Sequence, residues 1–502
     1  MNDYNDLVKI VESSGFLNVI GDSQIASVQC LQFGDTGKGK IVALLALWAD
    51  FTARGTGTSN AGHTSYIKHL DQLIKVITHY IPSSIFYDHL GKVSILGSGM
   101  GINLEELLGE MDSLTKAGIT FNNMMISKDA SLILPYHVMK DRGNKSMKPG
   151  SASSTGKGTT PVYSDRIARL GIFYRDLFNV DTFVKKLRKA QNEYSQFEFC
   201  IDEVVGKHRE MFERVKDMIR DTKAYTHAQL AQGKRMAIEG AQGTLLSILF
   251  GTYGYCTSSD PSVYGSAFGC DIKPEDIDLI LGLVKFPVMT RVGNGPFPSE
   301  FGGRRSEEYC AEDDGNAHKK KKEEESFSSS TPHAMITCKD EFLAGIGWRR
   351  AMGEYGATTA RPRRTGRVDA VAGRYAVELN SGNSKYLPGP HNRSKRRVVL
   401  VSTKSDCAAG MGDIEICTGY ENIETGEKVT GFTPDSEELY KLQGIYETFP
   451  GFEGDVQGIQ RYEELPPELR NLHEKFEGMV GAKFGMISTG PRTEDIVFVP
   501  NH

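Results

Sequence analysis

Val28-Gln-Cys-Leu-Gln-Phe-Gly-Asp-Thr-Gly-Lys-Gly-Lys-Ile41 is the stretch from which the fold is read. A β-rich run breaks into a loop carrying Gly34, Gly37 and Gly39, then continues into an apolar, helix-forming stretch, 41–49. Gly34, Gly39 and Lys40 have the G-x-x-x-x-G-K spacing of a phosphate-binding loop. Glycine there lets backbone N–H groups crowd around phosphate oxygens, and the helix start adds partial positive charge. The next residue should be Ser or Thr, whose hydroxyl holds Mg²⁺. It is Ile41, which has no oxygen to offer a hard cation. Either the loop handles no metal–phosphate, or the metal ligand comes from elsewhere, with Asp35 inside the loop as the candidate.

Working outward, the rhythm of strand, glycine-rich turn and helix recurs at 93–96, 236–239 and 400–403. This predicts an α/β fold: a large, mostly parallel central sheet with helices on both faces, plus smaller helical subdomains. Asn103 should cap a helix with Glu105 and Glu106 in its first turn, 179–233 should be helical, and 467–480 should form a late helix with Pro467 at its start. Residues 1–24 read as a weakly structured N-terminal extension before a 25–502 domain. Within that domain the 303–333 stretch, with Lys319–Lys322, Glu323–Glu325 and a serine cluster, reads as a flexible insertion that cannot bury a core.

Bulk properties narrow the class. The 502-residue chain has 39% hydrophobic and 25% charged residues, an ordinary globular composition. A net charge of −5 argues against a general polyanion binder, so no nucleic-acid partner is expected. No apolar run approaches the ~20 residues of a membrane span, and the acidic Met1-Asn-Asp-Tyr-Asn-Asp start is unlike a secretory signal. Eight cysteines without a Cys-x-x-Cys pair suit reduced thiols in a cytoplasmic setting.

Several residues could carry chemistry, each with a plainer reading beside it. Asp35 is either a turn residue capping the next helix or a carboxylate facing phosphates, able to bind metal or accept a proton. His63, in the small-residue loop Asn60-Ala-Gly-His-Thr64, is either a packed histidine or a general acid beside a transferring phosphoryl. The strand ending Thr403-Lys-Ser-Asp406 is either a strand-to-turn boundary or a base reader. Guanine offers two adjacent donors, N1–H and the exocyclic amine, that one carboxylate can accept, and adenine does not. Arg361-Pro-Arg-Arg364 is either a solvated basic turn or a clamp for carboxylate or phosphate.

Together these stretches resemble the adenylosuccinate synthetase family. The likeness rests on Gly34-Asp-Thr-Gly-Lys-Gly-Lys40, Asn60-Ala-Gly-His-Thr64, Leu134-Pro-Tyr-His137, Glu239-Gly-Ala-Gln-Gly-Thr244, Thr290-Arg-Val-Gly-Asn-Gly-Pro-Phe-Pro298, Arg361-Pro-Arg-Arg-Thr-Gly366, Thr403-Lys-Ser-Asp406 and Ile487-Ser-Thr-Gly-Pro491. It implies a Mg²⁺-dependent ligase that joins IMP and L-aspartate at the expense of GTP, through 6-phosphoryl-IMP. Asp35 would be the base and a metal ligand with Gly62, and His63 the acid. GTP would meet Gly34, Asp35, Thr36, Gly37, Lys38, Gly39, Lys40, Gly62, His63, Thr64 and Arg363, with its base on Lys404, Ser405, Asp406, Ser488, Thr489 and Gly490. IMP would meet Asp35, Lys38, Asn60, His63, Thr155, Gln242, Thr257 and Arg361, and Arg169 reaching over from a partner subunit, which implies a homodimer. Aspartate would lie on Ala357, Thr358, Thr359, Ala360, Arg361 and Arg363. The likeness also explains Ile41, since the family's metal ligand is the loop aspartate. Three positions depart from the family pattern: Thr36 replaces Glu, Ala360 replaces Gly and Arg367 replaces Trp.

Two other classes set useful contrasts. A phosphate-loop kinase would phosphorylate a stable acceptor without aspartate. A GTPase-like switch would want a hydroxyl at position 41.

Overall fold

The computed structural model describes residues 2–60, 62–69, 72–143, 156–311, 317–356, 360–382 and 396–500. Its centre is a ten-stranded sheet of β1 (Ile25–Cys30), β2 (Phe51–Arg54), β3 (Val93–Leu96), β4 (Met124–Ser127), β5 (Ile219–Arg220), β6 (Met236–Glu239), β7 (Leu279–Lys285), β8 (Arg397–Thr403), β9 (Lys483–Ser488) and β10 (Ile496–Phe498). The spatial order is β10-β9-β8-β7-β1-β6-β2-β3-β4-β5. Neighbours run parallel except β10, which returns antiparallel along β9. β1 and β7 are buried along their whole length, as strands covered on both faces must be; β7 reads as a near-continuous apolar run, and β1 breaks its own with Ser27 and Gln29, which pair with each other. A parallel sheet aligns the carboxyl ends of its strands along one edge, and the loops there meet over the same crevice.

Helix α3 (Lys38–Trp48) follows β1 and is apolar around its circumference, with every residue from Ile41 to Trp48 buried. Such a helix needs cover on its outer side. Part of that cover comes from α1 (Asn2–Glu12), with α2 (Ser14–Ile20) joining the same core, which corrects the expectation of a weakly structured N-terminal extension. Ser13 caps α2, accepting from Phe16 N, and Phe16, Val19 and Ile20 are buried in the core that holds α3. A helix whose apolar face is this short leaves little periodicity to read.

The 303–333 stretch is likewise more ordered than its composition suggests. It carries helices Gly303–Ala311, Ala317–Ser326 and the start of Pro332–Ile336, while residues 312–316 lie outside the described set. Lys320–Glu324 and Lys321–Glu325 pair one turn apart at 3.7 Å, supporting the second helix, and Glu323 is buried against Arg349. Averaged composition hides a single buried ion pair. The other local expectations agree with the structure: β3 spans 93–96, Asn103 Oδ1 accepts from Glu105 N and Glu106 N, and a helix runs Pro467–Val480. The 179–233 region holds helices Val180–Glu193, Ile201–Val215 and Thr222–Ala231, with edge strand β5 between the last two. No helix among the described residues is long and apolar enough to cross a membrane. None of the eight cysteines is in a disulfide.

Candidate active site

The crevice is lined by the loops after β1, β2, β6, β7, β8 and β9. After β1 the backbone turns left-handed at Gly34 (φ 93°), Asp35 (φ 53°) and Gly37 (φ 77°), and α3 begins at Lys38. A non-glycine residue at positive φ is sparsely populated backbone held by its surroundings, and it often marks a working site. The loop after β6 presses against it. A Cβ on Gly243 would lie 2.2 Å from Gln32 O and 2.6 Å from Gly34 N, so only glycine permits this approach. Gln242 (φ 47°) is also left-handed, and its carbonyl accepts from Lys38 Nζ at 2.7 Å.

The Asp35 carboxylate pairs with Arg363 Nη2 at 2.7 Å. Burial works to raise its pKa, but Arg363, Lys285 and Lys38 outweigh that and hold it below the usual carboxylate range. Asp35 is therefore ionised at neutral pH and faces a ring of cations. Lys38 itself is pushed down by burial, against the pull of Cys30, Asp35 and Glu239.

His63 opens the hairpin strand that follows the β2 loop. Its Nδ1 contacts Glu239 Oε1, and Glu239 Oε2 accepts from Ser83 N at 2.8 Å. Glu239 is fully buried at the carboxyl end of β6. The contact fixes the ring and leaves Nε2 as its working nitrogen. Burial lowers the His63 pKa, Glu239 raises it, and Arg54 and Lys38 lower it further, with the net direction downward.

At the other end, Lys404 is left-handed (φ 68°) and its Nζ donates to Met352 O at 2.9 Å. Asp406 is half-buried, and burial raises its carboxyl pKa against Lys404 and Lys40. Lys40 joins the two ends: its Nζ donates to Ser488 Oγ (2.8 Å), Gly490 O (2.9 Å) and Asp495 O (2.7 Å). With three acceptors already on it, the ammonium is a strut between the phosphate loop and β9. Burial brings it down to about 8, opposed by Asp495 and Asp406. Ser405 Oγ is taken by Ser402 Oγ (2.7 Å) and Phe286 O (3.3 Å), and Thr489 Oγ1 by Ile459 O (2.8 Å). Their side chains brace the pocket, leaving backbone to meet a ligand.

The remaining candidates divide. Asn60 Nδ2 donates to Thr159 Oγ1 (2.8 Å), and Thr257 lies half-buried beside Ser259. Arg361 O accepts from Gly356 N (2.8 Å), closing the base of the loop that carries Arg363. Arg169 is exposed with φ 64°, on the surface after the Thr159–Ile167 helix, where exposed Ile167 adjoins it in sequence. Thr155, Ala357, Thr358 and Thr359 lie outside the described residues, as does the Thr64 side chain. Four buried polar atoms in this crevice have their hydrogen-bonding capacity unused within the protein: Thr36 Oγ1, His63 Nε2, Gln242 Oε1 and Arg363 Nε. Leaving such a group unpaired costs about 1–3 kcal/mol, a cost that a polar ligand reaching these atoms would relieve.

The three departures have physical consequences. Thr36 is fully buried, and its Oγ1 makes no hydrogen bond within the protein. Ala360 adopts φ 52°, a conformation glycine takes freely and alanine at a penalty of about 1 kcal/mol. Arg367 lies flat between Phe301 (4.4 Å) and Tyr446 (4.3 Å) and pairs with Glu415 (2.6 Å) and Glu341 (2.8 Å), so a planar cation stacks as an aromatic ring would. Reading the sequence overlooked Glu239 as the partner of His63. A carboxylate closing the otherwise apolar Met236-Ala-Ile-Glu239 strand was the available signal. It also overlooked Lys285, buried against Glu354 (2.5 Å) and Thr290 (2.8 Å) yet acting on Asp35.

A phosphate loop at the carboxyl edge of a parallel sheet, with a carboxylate and an oriented imidazole over it, defines a nucleotide-handling α/β enzyme. Comparison with known proteins narrows the class. The family model for adenylosuccinate synthetase matches residues 27–497. Adenylosuccinate synthetase of Salinibacter ruber is 32% identical over 480 residues, 93% of this chain and 96% of the relative. That of a Thermoanaerobacter species is 33% identical over 476 residues, 93% and 97%. The solved structure of fully ligated adenylosuccinate synthetase from Plasmodium falciparum superposes with a TM-score of 0.75 at 26% identity, covering 95% of this chain and all of that one. The chain belongs to the adenylosuccinate synthetase family, GTP-dependent ligases that join IMP and L-aspartate.

Proposed function

We propose that the residues of this crevice divide the ligase reaction as follows. Asp35 takes the N1 proton of IMP, and the electron pair moves to O6. O6 attacks the γ-phosphorus of GTP, the bond to the β–γ bridging oxygen breaks and GDP leaves. His63, in its imidazolium form, donates through Nε2 to the phosphoryl group in transfer. The amine of aspartate then attacks C6 of 6-phosphoryl-IMP and displaces phosphate, giving adenylosuccinate. The incoming phosphates compete with Asp35 for Arg363 and Lys38, and so release the carboxylate to act as a base. The same negative charge favours protonation of His63.

Lys38 and the loop amides hold GTP phosphates. Lys404, Asp406 and the backbone of Ser488, Thr489 and Gly490 receive guanine, and Lys40 holds these two ends together. Asn60, Gln242, Thr257 and Arg361, with Thr155, bind IMP. Arg361, Arg363 and the 357–360 loop bind aspartate. Mg²⁺ fits a donor set of Asp35 and the Gly62 carbonyl. The described residues hold no cluster of three or more metal-ligating side chains, and Mg²⁺ typically takes one or two carboxylates with substrate phosphates and water. When bound it neutralises charge on the phosphates. Arg169, exposed on the surface, reaches the IMP of a second subunit in a cytoplasmic homodimer.

The observation that carries this reading is Asp35, left-handed in the phosphate loop after β1, paired with Arg363 at 2.7 Å and acted on by Lys38 and Lys285. Its test is turnover with IMP, aspartate, GTP and Mg²⁺, each omitted in turn, together with Asp35→Ala. Every omission should stop product formation. Asp35→Ala should stay folded and lose at least about a thousandfold in kcat, because general-base catalysis contributes ~10²–10⁴ and a phosphate-facing charge goes with it. More than a tenth of the wild-type rate in that variant, or a stable phosphorylated product without aspartate, would refute the assignment.

A further inference from the structure

The 303–333 stretch lies against the base of the substrate loop, and its contacts make one continuous path to Asp35. Glu323, on the Ala317–Ser326 helix, is fully buried. Its Oε1 accepts from Arg349 Nη1 and its Oε2 from Tyr355 Oη at 2.7 Å. Arg349 is equally buried. Its Nη2 reaches Cys310 Sγ at 3.3 Å, and its Nε donates to the Arg363 carbonyl at 2.7 Å. Arg363 N donates to Glu354 O at 2.9 Å, Tyr355 bridges Pro362, and the Arg363 side chain pairs with Asp35. Glu323 therefore bridges Arg349 and Tyr355, one carboxylate oxygen to each, and holds the Arg349 guanidinium from one side. That guanidinium fixes the backbone at 363, and the backbone sets where the Arg363 side chain stands.

We propose that Glu323 is a positioning residue for the aspartate step, acting through Arg349 on the 360–363 segment. The proposal rests on the reading of that segment as aspartate-facing. An insertion with a mixed lysine–glutamate composition would then do more than decorate the surface. It supplies a buried carboxylate that pairs with Arg349 beneath the loop. Without it Arg349 keeps its charge but loses its orientation, the Arg363 carbonyl loses its donor, and the Arg363 side chain stands less often where aspartate meets it. IMP, held by Asn60, Gln242 and Thr257 on other loops and only by Arg361 on this one, is affected much less than aspartate.

The test compares wild type, Glu323→Gln and the double variant Glu323→Leu/Arg349→Met, reading kcat, KM for aspartate, KM for IMP and Tm. Glu323→Gln should raise KM for aspartate about tenfold and leave KM for IMP within about twofold, since small misplacements of a positioning group are felt by the substrate it serves. The double variant removes a buried charge together with its partner, so its Tm should recover toward wild type. Methionine has no donor for the Arg363 carbonyl, so KM for aspartate should stay raised. Should Glu323→Gln fail to fold, the double variant decides alone. An unchanged KM for aspartate in folded Glu323→Gln, or a KM that recovers with Tm in the double variant, would overturn the proposal by reducing Glu323 to a structural role. Aspartate-independent turnover of the wild type overturns the functional reading itself, and it is seen before any variant is assayed.

Discussion

Replacing Glu239 by Gln tests the His63 assignment most directly. Glu239 is fully exchanged for an isostere whose amide oxygen can still accept from Ser83 N, now 2.8 Å from Oε2, so the strand end should keep its shape. What disappears is a full negative charge in contact with a buried imidazole. A unit charge at about 4 Å and an effective dielectric near 20 is worth about 4 kcal/mol. The amide dipole recovers part of this, leaving about 2–3 kcal/mol. The sign follows from the chemistry. Glu239 favours the imidazolium, so its loss lowers the His63 pKa, and an acid with a lower pKa is protonated only at lower pH. The alkaline limb of kcat against pH should therefore move toward acid, and kcat near neutral pH should fall about a hundredfold. The assay is the absorbance change of the purine ring at saturating substrates across pH, with His63→Asn as the inactive control. If the limb stays in place and kcat remains within about threefold of wild type while His63→Asn is inactive, His63 does not work as an acid tuned by Glu239.

Two further outcomes follow from other parts of the structure. Asp406→Asn should exchange guanine for xanthine, because the amide offers a donor where xanthine carries a carbonyl, and the measurement is the ratio of kcat/KM for XTP and GTP. GTP remaining the better substrate would show that Asp406 does not read the base. His473 is buried between Leu469 O (2.8 Å) and Ser402 Oγ (2.9 Å), and burial pushes its pKa down to about 4 despite the Leu469 contact. The native state then binds fewer protons than the unfolded chain, so this contribution is complete above about pH 6.5 and is lost as pH falls toward 4. Burial lifts Asp369 to about 6, despite donors from Ala372 N and Tyr420, and this acts with the opposite sign over much of the same window. Urea midpoints of wild type and His473→Gln should therefore converge as pH falls from 7 to 4.5. Parallel profiles would exclude His473 as the source.

Much of the framework was readable locally. The β1–loop–α3 unit, strand 93–96, the Asn103 cap and the 467–480 helix each declare themselves through glycine placement, capping side chains and apolar periodicity, which act over a few residues. The N-terminal helices did not, because their role is set by the bare outer face of α3, a surface that exists only once the sheet has formed. Glu323 was hidden in the same way. A carboxylate in a lysine–glutamate run looks solvated until Arg349 arrives to bury it.

The sequence by itself determined which residue types stand at which loop: a phosphate cradle at 34–40, a carboxylate within it, a histidine among glycines and an aspartate at a strand end. Tertiary structure alone decided what those residues touch. His63 meets Glu239 across 176 residues, and Lys40 spans 448 to Ser488 to strut the two ends of the crevice. Backbone sterics and capping are short-ranged and leave their mark in neighbouring letters. Burial and charge pairing are settled by which strands lie side by side, and a parallel sheet brings together carboxyl ends that are hundreds of residues apart.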